Sequence, residues 1–242
     1  MRIVISHLTR MRNGHICVAG IDLTNGQHIR PVAQRPLTLS LTAQHGGPLQ
    51  LAAVLELQAV RNVGRKPEVE DRAVQLDRIT RKSLMPASSF WRVLGRQAES
   101  SLGAIFGPDL QRLRNTWVVP AEQGEASLGC LAPQRAGNLW INEHGRVRIS
   151  IVTDDGNCTL PVTDLRLYRY TPERDYTPNT EAVQTVSQRL RQGGHLLLSV
   201  GLSRPFKRED DERAHHWLQV NNIFPEQDPL WDSSYAQHLF TL

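Results

Sequence analysis

Apolar and polar residues alternate along the start of the chain in the manner of short β-strands. Runs of this kind predict strands over 3–8, 15–23 and 27–32. Met11–Gly14 separates the first two strands. The pair Asn25-Gly26 before the third is typical of a hairpin turn, because both residues tolerate positive φ. The N-terminus is therefore predicted to be a three-stranded antiparallel meander.

The rest of the chain continues with short strands and a few helices. Residues 34–48 and 61–72 are predicted to be loops, and 225–242 carry no strong period. Further strands are predicted over 51–60, 73–79, 117–119, 127–131, 138–141, 146–153, 157–162, 165–170, 195–202 and 217–224. Helices are predicted over 90–94, 100–106 and 180–192, each with a capping residue or a glycine at one end.

These elements predict a mainly β protein with α insertions, an α+β arrangement of two small β-barrels packed together. The first five strands lack a connection long enough for a crossover helix, which favours a barrel over a βαβ sheet. We place the first barrel and its helical insertion in residues 1–115. The second barrel, with a C-terminal helix and closing strands, is placed in 116–242.

Charge is distributed unevenly along the 242 residues. Residues 1–150 carry 19 Lys or Arg and 11 Asp or Glu, a net of +8, whereas 151–242 carry 9 and 13, a net of −4. Of the 28 basic residues 25 are Arg, whose planar guanidinium binds phosphates bidentately and stacks on bases. This favours a polyanionic partner for the first part of the chain. Genomic base composition is the alternative explanation for the arginines.

Targeting and cysteine signals are sparse. No apolar run approaches the roughly 18 residues of a membrane span, and the first residues turn polar too soon for a signal peptide. Cys17, Cys130 and Cys158 form no CxxC pair, which indicates buried thiols in a reducing compartment. We therefore expect a cytoplasmic protein without a cofactor and without membrane association.

Catalytic motifs are absent from the sequence: it contains no GxxxxGK[ST], HExxH or GxSxG, and no GxGxxG after the first strand. The segment 207–217 is dense in ionisable groups. On a helix, Asp211 would face His215 and Glu212 would face His216, at a spacing that can hold a metal. A solvated charged loop is the favoured interpretation, because no third ligand is evident. We predict no catalytic site and no metal site.

Basic and aromatic residues supply the candidate binding features. A basic stretch follows a predicted strand at 78–82, and further cations flank Phe206. Trp91, Trp140 and Trp217 could stack on bases, as aromatic residues do in single-strand binders. Core packing is the alternative for each tryptophan, and a solvated or locally paired side chain is the alternative for each arginine.

Segments near both ends of the chain resemble a known family. Residues 14–32, which read GHICVAGIDLTNGQHIRPV, resemble the opening of the bacterial dual OB-containing domain family. The stretches 198–206 and 216–223 resemble its VGLTRPF and HWLQVN motifs. The middle differs more, since Pro67–Asp71 replaces a Gln-x-Glu-Asn element. The resemblance implies two OB-like barrels, a nucleic-acid-binding role, and company with bacterial anti-phage or other conflict systems.

These observations together predict a non-catalytic module that binds single-stranded or distorted DNA or RNA. The module is expected to belong to an anti-phage defence system. Another defence-system protein is a possible partner. Two alternatives stay open: a protein–protein adaptor of a defence complex, and a metal-dependent enzyme acting on nucleic acid. The candidate nucleic-acid-binding residues, some of them taken from the matching motifs, are Arg30, Arg78, Arg81, Lys82, Arg204, Phe206, Lys207, Arg208, Trp217 and Gln219.

Overall fold

The computed structural model describes residues 1–114 and 116–231. Its strands are β1 Arg2–Arg10, β2 His15–Asp22, β3 His28–Val32, β4 Leu37–Thr38, β5 Ala53–Leu57, β6 Arg61–Asn62, β7 Asp71–Ala73, β8 Ile79–Leu84, β9 Ala98–Glu99, β10 Gln111–Leu113, β11 Thr116–Pro120, β12 Leu128–Leu131, β13 Arg135–Ile141, β14 Val147–Thr153, β15 Gly156–Pro161, β16 Tyr168–Thr171, β17 Asp175–Pro178, β18 Leu196–Leu202 and β19 His215–Pro225. Its α-helices are α1 Ala87–Arg96, α2 Leu102–Phe106 and α3 Thr180–Arg191. None of these helices is long and apolar enough to cross a membrane.

The first barrel is built on an eight-stranded sheet in the order β6-β7-β3-β2-β1-β5-β8, with β4 paired to β2. The pairs β1–β2 and β2–β3 are antiparallel, which confirms the predicted meander. A register shift between Ile5 and His7 bends β1. Residues 3–9 of β1 are buried on both faces. This burial is expected of a strand that packs on its own barrel on one side and on the second barrel on the other.

The second barrel combines a six-stranded sheet, β10-β11-β19-β18-β12-β9, with a three-stranded sheet, β13-β14-β15. Every residue of β18 is buried, and β14 alternates buried and partly buried positions. The helix α3 covers this core with an apolar face that includes Val183, Val186 and Leu190, as its spacing predicts. The prediction of a mainly β fold with α insertions, built as two small β-barrels, is confirmed.

Polar side chains of the second barrel complete the hydrogen bonding of β1. Asn222 accepts from the backbone N–H of Leu8 at 2.8 Å and donates to the carbonyl of the same residue at 3.1 Å. Ser199 donates to the carbonyl of Ser6 at 2.7 Å. The two barrels therefore share buried hydrogen bonds at their junction. These bonds satisfy backbone groups of β1 that would otherwise be buried without partners. Phe224 of β19 packs in the hydrophobic core of the first barrel, so residues after 115 contribute to that core. The division of the chain at residue 115 stays a prediction.

Several predicted boundaries are wrong for local reasons. The range 73–79 is not one strand, because a 3₁₀ turn at Leu76–Arg78 separates β7 from β8. The long strand 51–60 shrinks to Ala53–Leu57, since Ala52 and Ala59 both have positive φ. The predicted loop 34–48 contains the two-residue strand β4, and the predicted loop 61–72 contains β6 and the start of β7. Of the aperiodic range 225–242, residues 232–242 lie outside the described residues.

Candidate nucleic-acid interface

A cleft of about 1930 Å³ is lined by residues of both barrels. The first barrel contributes residues of β1 to β4, and the second contributes β13 to β15 and β19 among others. Glu143 is the one carboxylate among the described residues that line this cleft. The ten arginines that line it are Arg10, Arg12, Arg30, Arg35, Arg112, Arg135, Arg146, Arg148, Arg204 and Arg208.

Positive charge in the cleft is poorly compensated. Of the ten arginines, only Arg30 and Arg204 form an ion pair with a carboxylate in the described part of the chain. Burial lowers the pKa of Arg148, and the charges of Arg146 and Arg208 lower it further. Burial lowers the pKa of Arg208, Asp211 opposes this shift, and the charges of Arg146 and Arg114 lower the pKa further. Cations that repel one another in this way would be stabilised by a bound anion.

An aromatic pair stands in the same cleft. Phe206 lies against Trp217 with ring centroids 5.5 Å apart and planes tilted by 28°. The guanidinium carbon of Arg208 lies 3.3 Å from the centre of the Trp217 ring, and Trp217 Nε1 donates to the carbonyl of Phe206 at 3.3 Å. Trp217 is only 6% exposed, whereas Phe206 is 47% exposed. Trp217 therefore supports Phe206, and Phe206 offers the accessible ring.

An ion-pair cluster lies at the junction of the barrels and consists of Arg30, Asp71, Arg204 and Glu68. Arg30, 6% exposed, donates to Asp71 at 2.5 Å. Arg204 bonds to Asp71 at 2.8 Å and to Glu68 at 3.0 Å. Burial lowers the pKa of Arg204, but hydrogen bonds and the charges of Asp71 and Glu68 outweigh it and leave the pKa raised. Arg204 thus links the second barrel to the first, Arg30 holds the shared carboxylate of Asp71 from within the first barrel, and both arginines line the cleft.

Glu70 ties the same segment to the second barrel. Its buried carboxylate accepts from the backbone N–H and the hydroxyl of Ser127, each at 2.8 Å, and from the N–H of Leu128 at 3.0 Å. Burial raises the pKa of Glu70, and these hydrogen bonds oppose the rise. The segment Glu68–Asp71, acidic in sequence, is therefore an architectural element that positions β12 and the arginine pair.

The structure separates the ten predicted binding residues into two groups. Arg30, Arg204, Phe206, Arg208, Trp217 and Gln219 line the cleft, whereas Arg78, Arg81, Lys82 and Lys207 do not. Arg81 and Lys82 lie on β8, at one end of its sheet, and Lys82 pairs with Glu56 at 2.8 Å. Of the other tryptophans considered, Trp140 lines the cleft and Trp91 packs on the first core.

Seven cleft arginines were missed by the sequence reasoning: Arg10, Arg12, Arg35, Arg112, Arg135, Arg146 and Arg148. Part of the signal was available, since Arg146 and Arg148 flank buried Val147 with the period of two that puts them on one face. The period does not say which face meets the other barrel. That information comes only from the packing of the two barrels.

Residues 207–217 do not form the helix that a metal site at Asp211, Glu212, His215 and His216 would need. The segment runs through turns into β19, where His215 and His216 are successive residues on opposite faces. His216 Nδ1 donates to the carbonyl of Ser203 at 2.9 Å, and Asp211 accepts from the N–H of Arg208 at 3.3 Å. No group of three or more His, Cys, Asp or Glu side chains that could hold a metal occurs in residues 1–114 and 116–231.

The fold and the cleft define a protein of two packed OB-like barrels with a shared basic groove. The family model of the Dual OB-containing domain matches residues 1–223, and the chain belongs to this family. No curated protein matches the sequence. A solved structure titled "Structure of murine DNA binding protein bound with ds DNA" aligns with 93% of this chain and 95% of its own, at 9% identity and a TM-score of 0.33.

Proposed function

We propose that the protein binds nucleic acid in the cleft between its barrels, with no catalytic step of its own. The observation that carries the proposal is the arginine lining, in which eight of ten guanidinium groups have no ion-pair partner among the described residues. Guanidinium groups bind phosphate oxygens bidentately, and each contact releases condensed counterions from the polymer. A polyphosphate chain is the ligand that matches many separate cations along one groove.

The form of the ligand is proposed to be single-stranded or locally distorted. Phe206 offers a half-exposed ring inside the basic cleft. Aromatic rings of this kind stack on bases that have left a duplex, and the contact tolerates different bases. The phosphates of DNA and RNA satisfy the arginines equally, so both polymers belong in the test.

The proposal is tested by the salt dependence of binding. Fluorescence anisotropy would compare labelled single-stranded and duplex DNA and RNA between about 50 and 200 mM salt, where phosphate contacts lose most affinity. We expect single strands to bind more tightly than duplexes, with an affinity that falls by two or more orders of magnitude over this range. Affinity that does not change with salt, or no binding to any of the four ligands, would contradict the proposal and turn attention to a protein-adaptor role.

A place in an anti-phage defence system is a second part of the proposal. Its support is the resemblance of the terminal motifs to a family that accompanies conflict systems. The test is phage plating on bacteria that express the chain with its encoded neighbours, compared with bacteria that lack only this chain. We expect lower plating efficiency when the chain is present. Equal plating for a panel of phages would remove this part and leave the binding proposal untouched.

A further inference from the structure

Strand β19 places Trp217, which supports the Phe206 ring, and the amide of Gln219 in the lining of the cleft. Trp217 and Gln219 are two residues apart on β19, so their side chains leave the same face, about 6.6 Å apart along the strand. Asn221, at a bulge where the pairing of β18 and β19 shifts, also lines the cleft. Phe206 covers Trp217, so the exposed Phe206 ring and the partly buried carboxamide of Gln219 both line the cleft near this part of β19.

The orientation of the Gln219 amide follows from a buried chain of hydrogen bonds. Asn221 Nδ2 can only donate, so at 3.0 Å it makes Nδ1 of His7 an acceptor. Asn221 Oδ1 then accepts from Gln219 Nε2 at 3.1 Å. Burial, followed by the charges of His28 and Arg30, lowers the pKa of His7 well below its usual value, which keeps the ring neutral.

The hydrogen bonds that link His7, Asn221 and Gln219 leave part of the Gln219 amide available to a ligand. Its Oε1 and its second Nε2 hydrogen have no hydrogen-bond partner among the residues the structure describes. An acceptor and a donor side by side form the carboxamide pattern that pairs bidentately with adenine, through its exocyclic amino group and a ring nitrogen. A neighbouring aromatic ring holds such a base by stacking.

We propose that Phe206 and Gln219 form a subsite for one unpaired base, with adenine preferred. The subsite rests on the proposed function, since the arginines bind the phosphates on either side of that base. Phe206 stacks on the base and gives affinity without regard to its identity. Gln219, held by Asn221 and His7, hydrogen-bonds to the edge of the base and gives the preference.

The experiment uses abasic DNA octamers, which present phosphates without bases, and the same octamers with one base in a central position. The full chain binds each octamer in an anisotropy assay at low salt. Because the octamer can slide in the cleft, a single base can find the subsite. We expect adenine to increase affinity about tenfold over the abasic octamer and to exceed thymine severalfold.

Two variants separate the two roles. Gln219→Leu should reduce the preference for adenine over thymine to within about twofold while a gain over the abasic octamer persists. Phe206→Ala, at an exposed position, should remove most of the gain for every base, measured against the abasic octamer bound to the same variant. Urea unfolding of each variant confirms that it is folded, and Gln219→Met replaces Gln219→Leu if the latter is not.

The results distinguish the subsite from the cleft. Salt-sensitive binding of the abasic octamer with no gain from any base would overturn the subsite and keep the proposed function. An adenine preference that survives Gln219→Leu or Gln219→Met would overturn the role of Gln219. No salt-sensitive binding of any octamer would overturn the proposed function itself.

Discussion

Arginines stand in two contrasting settings along the same cleft. On the cleft wall, Arg146 is exposed and has no ion pair with a described carboxylate, and its charge lowers the pKa of its neighbours. At the barrel junction, Arg30 is buried against Asp71, which also bonds to Arg204. The same side chain thus lacks a described carboxylate partner in one place and is fixed in an ion pair in the other. The carboxylates around it decide which.

The largest effect is expected from removing the shared carboxylate of the junction. Asp71→Ala leaves Arg30 charged and buried without its partner, which should lower the free energy of unfolding by about 3–5 kcal/mol. Urea unfolding measures the loss. Asp77→Ala, at an exposed position in the 3₁₀ turn beyond β7, is the control and should change stability by under about 0.5 kcal/mol. Equal stability of the two variants would show that the junction does not depend on the ion pairs.

Acid should lower the free energy of unfolding, because His7 is buried and His28 is partly buried in the folded protein. Burial lowers the pKa of His28 to about 4, and the pKa of His7 is also low. Because both are lower than in the unfolded chain, the unfolded state binds more protons below pH 6.5, and stability falls from there towards pH 4. His28 alone should cost about 2–3 kcal/mol between pH 7 and 4.5.

Urea unfolding at the two pH values checks this expectation. His28→Gln should reduce the loss on acidification, whereas His144→Gln, at an exposed hairpin, should not. The variants share the titration of all carboxylates, so their difference reports His28 together with its effect on the neighbouring His7. An unchanged pH dependence in His28→Gln would contradict the account.

A smaller loss is expected from Arg204→Ala. Asp71 keeps Arg30 as a partner in this variant, and the Arg204 side chain is 55% exposed, so about 2 kcal/mol of stability should be lost. Arg35→Ala, an exposed cleft arginine without a described ion pair, should leave stability within about 0.5 kcal/mol. If the two variants are equally stable, Arg204 belongs with the cleft arginines and not with the junction.

Two glycines give the smallest and best matched comparison. Gly14 and Gly145 both have φ +67, but a Cβ on Gly14 would lie 2.8 Å from the Tyr170 ring, whereas Gly145 has open space. Gly145→Ala should cost about 1 kcal/mol for the backbone alone. Gly14→Ala should cost roughly 1 kcal/mol more, because it also overpacks against Tyr170. Equal losses in thermal unfolding would mean that the β16–β17 hairpin does not rest on the β1–β2 turn.

The sequence predicted what depends on local pattern. Strand periods and the Asn25-Gly26 turn gave the meander, and the apolar spacing of α3 gave the helix. Two-residue strands such as β6 were missed, because they are too short to show a period. The arginine cleft was found only in part. Arg12 and Arg112 are distant in sequence, and the packing of one barrel on the other brings them to one groove.

The acidic run before Asp71 illustrates the same limit from the other side. In sequence, Glu68 and Glu70 suggest no role that spacing can justify. In the structure, they bond to Arg204 and to Ser127 across the junction. Ion pairs between residues far apart in the chain depend on tertiary contacts, so the sequence could not show that Arg30 and Arg204 pair with carboxylates. For the same reason it could not show that the basic residues of β8 lie outside the cleft.

We expect nucleic acid to bind in the cleft, and not wherever the surface is basic. Two triple variants test it most directly, since each removes three positive charges: Arg35, Arg112 and Arg146 to Gln in the cleft, and Arg78, Arg81 and Lys82 to Gln on and beside β8. The measurement is the affinity for one labelled single strand at about 100 mM salt. We predict a loss of about 100-fold with a shallower salt dependence for the cleft variant, and a change within about threefold for the β8 variant. Equal losses in both variants, or a greater loss on β8, would contradict the account.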